Sequence, residues 1–212
     1  MSKMSVVMSL NRRPFLINER LIRIICIFLC INAYSQNTPD FASPSSMTFD
    51  FVQRKSSDML AEDLVSSGRM AFAAPDRIRW EYLAPYPSLF VMNGARVLVE
   101  NADGRKIMDA KSAGAYSRVA GMIMPLVRGD FSAGKASGFK TEVTDGGGFW
   151  RVELVPVKSG ARRLFRRVVA EIDKELGVAV KVTVDEGNGD TTVITCTNIV
   201  LDIKVDERLF EF

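Results

Sequence analysis

The side chains that could support chemistry are few in this sequence. They are one late cysteine and two pairs of adjacent carboxylates: Cys196, Glu62 with Asp63, and Asp185 with Glu186. A cysteine nucleophile needs a neighbouring base, and the usual base is histidine, which the 212-residue chain does not contain. The carboxylate pairs are typical of turns and solvated surfaces. We therefore predict that the cysteine is a small core residue on a strand and that the chain is not an enzyme.

Sequence patterns that bind metals and nucleotides are also missing. Without histidine, the common zinc sites and the Ser-His-Asp arrangement lose an essential member. The chain has neither a GxxxxGK[ST] phosphate loop nor a GxGxxG motif after a strand. Its one glycine cluster, Gly146-Gly147-Gly148, lies between two strand-like runs and is typical of a hairpin turn. We therefore expect no metal and no cofactor.

The first 35 residues have the three parts of a secretory signal. A stretch with four arginines precedes an apolar run over residues 24–31, and the small residues Ala33 and Ser35 then have the spacing that a signal peptidase recognises. The apolar run is shorter than the roughly 20 residues that span a bilayer. Neither cysteine of this stretch follows a small residue, as a lipid-modified cysteine would. We predict a cleaved signal over residues 1–35, with a retained membrane anchor as the alternative.

Removal of this segment changes the charge of the chain. The full sequence has a net charge of +3, but residues 1–35 hold five basic residues and one acidic residue. The remaining 23 basic and 24 acidic residues have a net charge of −1. This balance argues against a nucleic-acid or anionic-membrane partner. The length suits a single exported domain over residues 36–212.

Short segments of alternating apolar and polar residues follow one another from residue 47 to residue 200. Ile78, Trp80 and Tyr82, for example, alternate with arginine and glutamate. Turn residues separate the segments, and Asn93-Gly94 is a strong hairpin signal. Strands with one dry and one wet face predict a single curved antiparallel sheet.

Two segments have helical rather than strand spacing. Over residues 115–128 the apolar residues recur every three or four positions, and Pro125 would kink or end that helix. A shorter helical turn is expected at residues 162–167. One or two helices against the concave side of the sheet would bury its dry face.

Several of these strands carry residues of a known family. In their order and spacing they resemble the periplasmic carriers of outer-membrane lipoproteins, the LolA family, through Ser67-Gly68-Arg69-Met70, Pro75-Asp76-Arg77-Ile78-Arg79-Trp80-Glu81-Tyr82, Pro85 and Asn93-Gly94. Phe51-Val52-Gln53 is similar to the family's early Phe-x-Gln, and residues 190–198 are similar to its penultimate strand. The resemblance covers about residues 49–205 and is of the Bacteroidetes type.

This resemblance implies a fold and a role. The fold is mainly β: an unclosed, strongly curved antiparallel β-barrel with a helical lid, here about residues 112–137, over an apolar cavity. The role is to shuttle acylated lipoproteins through the periplasm, from an inner-membrane ABC transporter to an outer-membrane receptor. We expect the carrier to be a monomer.

Two departures from the family pattern bear on the lid and on the end of the barrel. Many members have an arginine that ties the lid shut at the position of Ala74, and alternation places the nearby Arg77 and Arg79 on the polar face instead. Only about a dozen residues separate the predicted cleavage site from Phe49. The amphipathic helix with which the family begins is therefore short or missing here.

Eight apolar residues form the predicted wall of the lipid-binding cavity. They are Phe72, Trp80, Tyr82, Phe90 and Met92 from the sheet, with Met122, Ile123 and Leu126 from the lid. Burial of each CH₂ group of an acyl chain stabilises the complex by about 0.8 kcal/mol, so a dry wall of this kind suits such a guest. For each residue taken singly, an ordinary core position is the competing interpretation.

Three other functions remain open from the sequence. The same cavity would suit a carrier of another acyl or polyene lipid in a biosynthetic pathway. A structural or enzyme-accessory β-domain would instead have a filled core. A hydrolase that works without histidine is the last alternative.

Overall fold

The computed structural model describes residue 39, residues 41–113, residue 124 and residues 138–212. The predicted signal, residues 1–35, lies outside these described residues. So does most of the predicted lid, including Pro125 and three of the predicted wall residues: Met122, Ile123 and Leu126.

Eleven strands of the described residues form one antiparallel sheet. The first six are β1 (Ser46–Ser56), β2 (Leu64–Ala73), β3 (Arg77–Ala84), β4 (Ser88–Asn93), β5 (Arg96–Asn101) and β6 (Gly104–Asp109). The last five are β7 (Phe139–Asp145), β8 (Phe149–Pro156), β9 (Phe165–Asp173), β10 (Ala179–Glu186) and β11 (Thr191–Leu201). The described helices are short: α1 (Ser159–Arg162) and two 3₁₀ turns, Ala110–Ser112 and Glu207–Phe210.

The order of the strands shows which two strands form the open edges of the sheet. From edge to edge it is β6-β5-β4-β3-β2-β1-β11-β10-β9-β8-β7. Strands that follow one another in sequence therefore lie side by side, except β6 and β7, and β1 also pairs with β11. The two edges are therefore β6 and β7, and residues 110–138 connect them along the chain. Among the described residues these two edges do not pair with each other. The predicted fold, an unclosed and curved antiparallel sheet, is confirmed.

One prediction about an individual element was wrong, and one strand was not predicted. The helical turn expected at residues 162–167 is α1, which begins and ends earlier, and Phe165 already belongs to β9. Pairing with β10 draws these residues into the sheet: Phe165 lies opposite Glu186, and Arg167 lies opposite Asp185 with an ion pair of 2.7 Å. Strand β6 was not predicted, because its side chains are almost all exposed and lack a dry face.

The last residues of the chain cover the convex face of β2 to β5. Phe210, only 1% exposed, packs with Ala71, Ala73, Val91 and Leu98, which point away from the concave side. The cluster continues through partly buried apolar residues: Leu89, Val205, Leu209 and Phe212. The fully apolar sequence of residues 89–92 follows from this arrangement, since Leu89 and Val91 pack with the C-terminal segment while Phe90 and Met92 pack in the apolar cluster of the other face.

Arginines of the convex face hold the C-terminal segment in place. Arg77 forms an ion pair with Glu207, and its guanidinium lies 5.3 Å from the centre of the Phe210 ring. Arg79 donates a hydrogen bond to the Leu209 carbonyl, at 3.4 Å. Both arginines therefore lie on the polar side of β3, as alternation predicted, and they bind the C-terminal segment.

We expect Phe210→Ala to destabilise the fold by about 3–5 kcal/mol, because it removes a fully buried aromatic ring and leaves a cavity in its place. Glu211→Ala, at the exposed neighbouring position, is the matched control and should change the free energy of unfolding by about 0.5 kcal/mol or less. Urea unfolding followed by circular dichroism measures both values. Equal effects of the two substitutions would contradict the packing described for Phe210.

Cys196 is a free, buried cysteine of β11, 9% exposed and paired across the sheet with Phe51. The prediction of a core residue is confirmed. Burial raises the pKa of its thiol to about 12, so the thiolate form is scarce at neutral pH.

Maleimide should therefore modify Cys196 of the native protein at pH 7.5 at least about 100-fold more slowly than in denaturant, since the thiolate is the reactive form. Peptide mapping by mass spectrometry assigns the modification to this residue. Rapid labelling of native Cys196 would show that the thiol is accessible and would contradict its place in the core.

Candidate functional site on the concave face

Directly paired residues of antiparallel strands point to the same side of a sheet, so the register defines rows across the concave face. One row crosses β1 to β4 through Met47, Phe72, Ile78 and Met92. The next row crosses the same strands through Phe49, Met70, Trp80 and Phe90. All eight side chains are apolar or aromatic; six belong to one buried cluster, and Phe90 and Met92 pack against it. The concave face of these four strands is therefore a continuous apolar surface.

A third row depends on a glycine. Phe51, Gly68 and Tyr82 lie side by side on β1, β2 and β3. A Cβ atom at Gly68 would lie 2.5 Å from the Phe51 ring and 2.0 Å from the Glu81 carbonyl oxygen, which is closer than atoms can approach. The absence of a side chain on β2 thus lets the Phe51 ring lie across it toward β3.

The rings of these rows form an aromatic cluster. The Phe51 ring lies 4.6 Å from Trp80 and 5.3 Å from Tyr82, and Phe49 meets Trp80 edge-on at 6.1 Å between ring centres. Such tilted and edge-on pairs each contribute about 0.5–1.5 kcal/mol beyond the burial of their area. The cluster therefore fixes the orientation of Trp80 and Tyr82 on the concave face.

The structure brings together all five of the predicted wall residues that it describes. Phe72 and Trp80 are buried, at 0% and 8% exposure, whereas Tyr82, Phe90 and Met92 keep part of their surface exposed. All five belong to or pack against the same cluster. Phe72 therefore lies in the packed layer itself, and the partly exposed three lie at its surface.

The lid prediction can be compared with the structure at one residue. Met124 is the only described residue between 114 and 137; it is helical and 9% exposed. It packs in the cluster of the concave face, with Trp80 and Phe49 among the members. This position agrees with a helical cover over the sheet, while the lid as a whole remains a prediction.

The concave face of β1 becomes polar toward the C-terminal end of the strand. After Met47, Phe49 and Phe51, the next two residues on this face are Gln53 and Lys55. The Tyr82 hydroxyl donates a hydrogen bond of 2.8 Å to Gln53 Oε1. The apolar surface thus ends in polar groups, a feature that the sequence analysis missed although the alternation of β1 already contained it.

Lys55 forms a small charged cluster at this polar end. Its Nζ lies 2.8 Å from Glu186 and 3.0 Å from Asp190, and Thr192 donates a hydrogen bond to Glu186. Burial lowers the pKa of Lys55, but the hydrogen bonds and charges of the two carboxylates outweigh that effect, so its pKa is raised overall. The lysine is therefore charged at neutral pH and is paired within the protein.

Two buried polar atoms make no hydrogen bond with the described residues: Trp80 Nε1 and Thr141 Oγ1. Burial raises the pKa of the Tyr82 hydroxyl, and the adjacent Trp80 and Gln53 side chains oppose that rise only in part. The Tyr82 hydroxyl oxygen therefore lies beside Trp80 Nε1 and is the acceptor that partly satisfies this donor.

The second half of the sheet has an apolar concave face of its own. It is a buried cluster from β8, β9 and β10: Val152, Leu154, Phe165, Val168, Ala170, Ile172 and Val184. The strand register shows that this cluster lies on the same face as the concave residues of β11, since Thr192 lies opposite Val184 and Ile194 lies opposite Val182. Both halves of the sheet therefore present their dry side to the same concave face.

A hollow of about 480 Å³ lies on the opposite side of β1 and β2. Its lining mixes charged and apolar side chains, including Asp50, Arg69, Val52 and Leu83. None of the predicted wall residues lines it, although Phe51 and Gly68 of the third row do.

The described part of the chain contains no group of three His, Cys, Asp or Glu side chains placed to hold a metal ion. None of the helices formed by the described residues has the length and hydropathy needed to cross a bilayer.

Comparisons with solved structures give weak similarity. A LolA superfamily protein from Nitrosomonas europaea is 9% identical, with a TM-score of 0.45 over 81% of this chain and 92% of that protein. The MucA/MucB complex of Pseudomonas aeruginosa matches with a TM-score of 0.46 and 12% identity, over 79% of this chain and 55% of that one.

Comparisons of sequence are more informative. An outer-membrane lipoprotein carrier protein of Alkalilimnicola ehrlichii is 26% identical over 147 residues, which cover 69% of this chain. The match spans 64% of the length of that relative. The family model described as outer membrane lipoprotein carrier protein LolA matches residues 42–212, which include the whole described sheet and the C-terminal segment. The chain belongs to the LolA family of outer-membrane lipoprotein carrier proteins.

Proposed function

We propose that this protein is a non-enzymatic periplasmic carrier that binds the acyl chains of lipoproteins on its concave face and shuttles them from the inner to the outer membrane. The observation that supports this most is the apolar surface formed by two complete rows of side chains across β1 to β4. Membership of the LolA family agrees with this role.

The energetics of acyl-chain transfer favour such a surface. Each buried CH₂ group contributes about 0.8 kcal/mol, so a 16-carbon chain carries a gross driving force of about 12 kcal/mol before ordering costs. A carrier must recover most of this free energy and still release its guest. Tyr82, Phe90 and Met92 are partly exposed, so a guest can reach them without disruption of the fully buried layer around Phe72 and Ile78.

The remaining parts of the proposal concern the route of the cargo. The protein is secreted through the inner membrane with removal of residues 1–35, and residues 112–137 act as a lid. An inner-membrane ABC transporter supplies the energy for loading, because the sequence has no nucleotide-binding motif of its own. An outer-membrane receptor accepts the lipoprotein, and the carrier works as a monomer.

Mass spectrometry of material that co-isolates with the tagged protein from the periplasm tests the identity of the cargo. The proposal predicts tri- or diacylated proteins in the bound fraction. Free acyl lipids or polyene lipids alone would favour a carrier for a biosynthetic pathway. A protein that carries neither in the native cell would contradict the proposed function.

Met92→Asp should weaken the binding of a fluorescent acyl-chain probe at least about tenfold, since it places a charge in contact with the apolar guest. Val52→Asp is the matched control, because Val52 is 48% exposed and points to the convex side of β1. Titrations are compared for variants whose circular dichroism spectra match that of the unaltered protein, and Met92→Gln supplies a milder substitution. Equal binding by the Val52 and Met92 variants would exclude the concave face as the binding surface.

A further inference from the structure

The connection between β8 and β9 is the most basic part of residues 36–212. No acidic residue lies between Glu153 and Glu171. The same stretch contains five basic residues: Lys158, Arg162, Arg163, Arg166 and Arg167. The net charge of −1 for residues 36–212 does not reveal this local separation, because the acids that balance these residues lie elsewhere in the chain.

Four of the five cations form no ion pair with a carboxylate of the described residues. Arg167 is the exception, since it pairs with Asp185 at 2.7 Å. Arg162 and Arg166 donate hydrogen bonds to backbone carbonyls, which carry no net charge. All four of these side chains are exposed. We call these four residues the basic patch: Lys158, Arg162, Arg163 and Arg166.

The basic patch lies at the polar end of the concave face. Phe165, the first residue of β9, is paired with Glu186, the last residue of β10. Glu186 in turn binds Lys55, at the end of the concave side of β1. The strand register places the β1–β2, β3–β4 and β10–β11 connections at this same end of the sheet.

The polar end also has the most exposed apolar and aromatic side chains of the described residues. Three are more than half exposed: Met59 at 95%, Tyr86 at 74% and Val157 at 59%. They lie in the β1–β2, β3–β4 and β8–β9 connections respectively. Exposed apolar side chains beside basic residues are typical of surfaces that bind at a membrane interface, where tyrosine is also enriched.

The opposite end of the sheet is covered by the protein itself. The Ala42 N–H donates a hydrogen bond of 2.9 Å to the Gly177 carbonyl, and Phe41 and Ala42 pack against the two apolar clusters of the concave face. Among the described connections at that end, the most exposed large apolar side chain is Leu176, at 41%. The projecting apolar side chains and the basic patch are thus both features of the polar end.

We propose that the polar end of the sheet docks on the surface of an anionic phospholipid membrane, with the basic patch on the headgroups and Val157 in the interface. Each lysine or arginine near such a surface strengthens binding by about fivefold, so four of them give a reversible attachment. Asp58 and Glu62 flank Met59, and the β8–β9 connection therefore makes the first contact. This docking goes beyond the proposed function and would bring the polar end of the binding surface to the membrane.

Co-sedimentation with vesicles tests the role of the basic patch. Protein purified from the periplasm is mixed with vesicles of phosphatidylcholine alone or of phosphatidylcholine with phosphatidylglycerol. We expect binding to the anionic vesicles only, and the double substitution Lys158→Gln with Arg163→Gln should weaken it at least about tenfold. Neither of these side chains forms an ion pair with the described residues, so the fold should be retained.

The matched control removes two positive charges from exposed positions at the opposite end. Lys111 follows β6 and Lys204 follows β11, and both are exposed. The double substitution Lys111→Gln with Lys204→Gln changes the net charge by the same amount. It should bind anionic vesicles as tightly as the unaltered protein.

A fluorescent label tests the orientation of the docked protein. Val157→Cys is labelled with a dye whose emission shifts to shorter wavelength in an apolar environment, and the native thiol of Cys196 is buried and stays unlabelled. The emission should shift when anionic vesicles are added. The same label at Leu176→Cys, at the opposite end, should not respond.

The outcomes decide this inference separately from the proposed function. Equal weakening by the two double substitutions would show that only net charge matters, and would overturn the docking. A shift at position 176 without one at position 157 would overturn it as well. No binding to anionic vesicles would overturn it and leave the polar end to an acidic protein partner. Titration with an acyl-chain probe in solution, without vesicles, tests the proposed function independently of these results.

Discussion

The pairing of β1 with β11 is the constraint on which the rest of this structure depends. It joins two meanders of antiparallel strands into one sheet and places β1 at its centre, with five strands on each side. The two free edges then belong to β6 and β7, and the chain between them spans residues 110–138. An open and curved sheet of this kind has an apolar concave face that its own strands cannot cover. Some other group, either another part of the chain or a bound guest, must cover that face.

The apolar residues on the two faces of the sheet are covered in different ways. On the convex side of β2 to β5, the C-terminal residues supply a permanent cover that centres on Phe210 and is held by Arg77 and Arg79. On the concave side, the described residues from outside the strands that pack on the apolar clusters include Phe41, Ala42 and the helical Met124. A fixed cover on one face stabilises the sheet, and this allows the opposite face to serve a guest that arrives and leaves.

Local alternation was sufficient to predict most of this fold. The face of Trp80 and Tyr82 follows directly from apolar residues at every second position of β3. Phe90 and Met92 come from a fully apolar run, and pairing with β3 places them on the same face. Strand β6 was missed because an exposed edge strand has no dry face from which to recognise it. The helical turn α1 was predicted too far toward the C-terminus, because the pairing of Phe165 with β10 overrides the helical spacing of the sequence there.

Long-range contacts account for what the sequence could not reveal about the site. The cover formed by Phe210 joins residues more than 100 positions apart, and no local pattern identifies it. The role of Gly68 becomes visible only when the Phe51 ring is seen to lie across it. The hydrogen bond from the Tyr82 hydroxyl to Gln53 likewise depends on how β1 and β3 are placed, whereas the aromatic residue itself was predictable from the alternation of β3.

Photo-crosslinking measures the position of a guest most directly. A fatty acid with a diazirine near its methyl end is bound to the full chain and activated by light, and the modified peptides are identified by mass spectrometry. The account predicts crosslinks to concave residues of β3 and β4, among them Tyr82, Phe90 and Met92. Crosslinks confined to convex residues such as Val52 and Leu83 would contradict it.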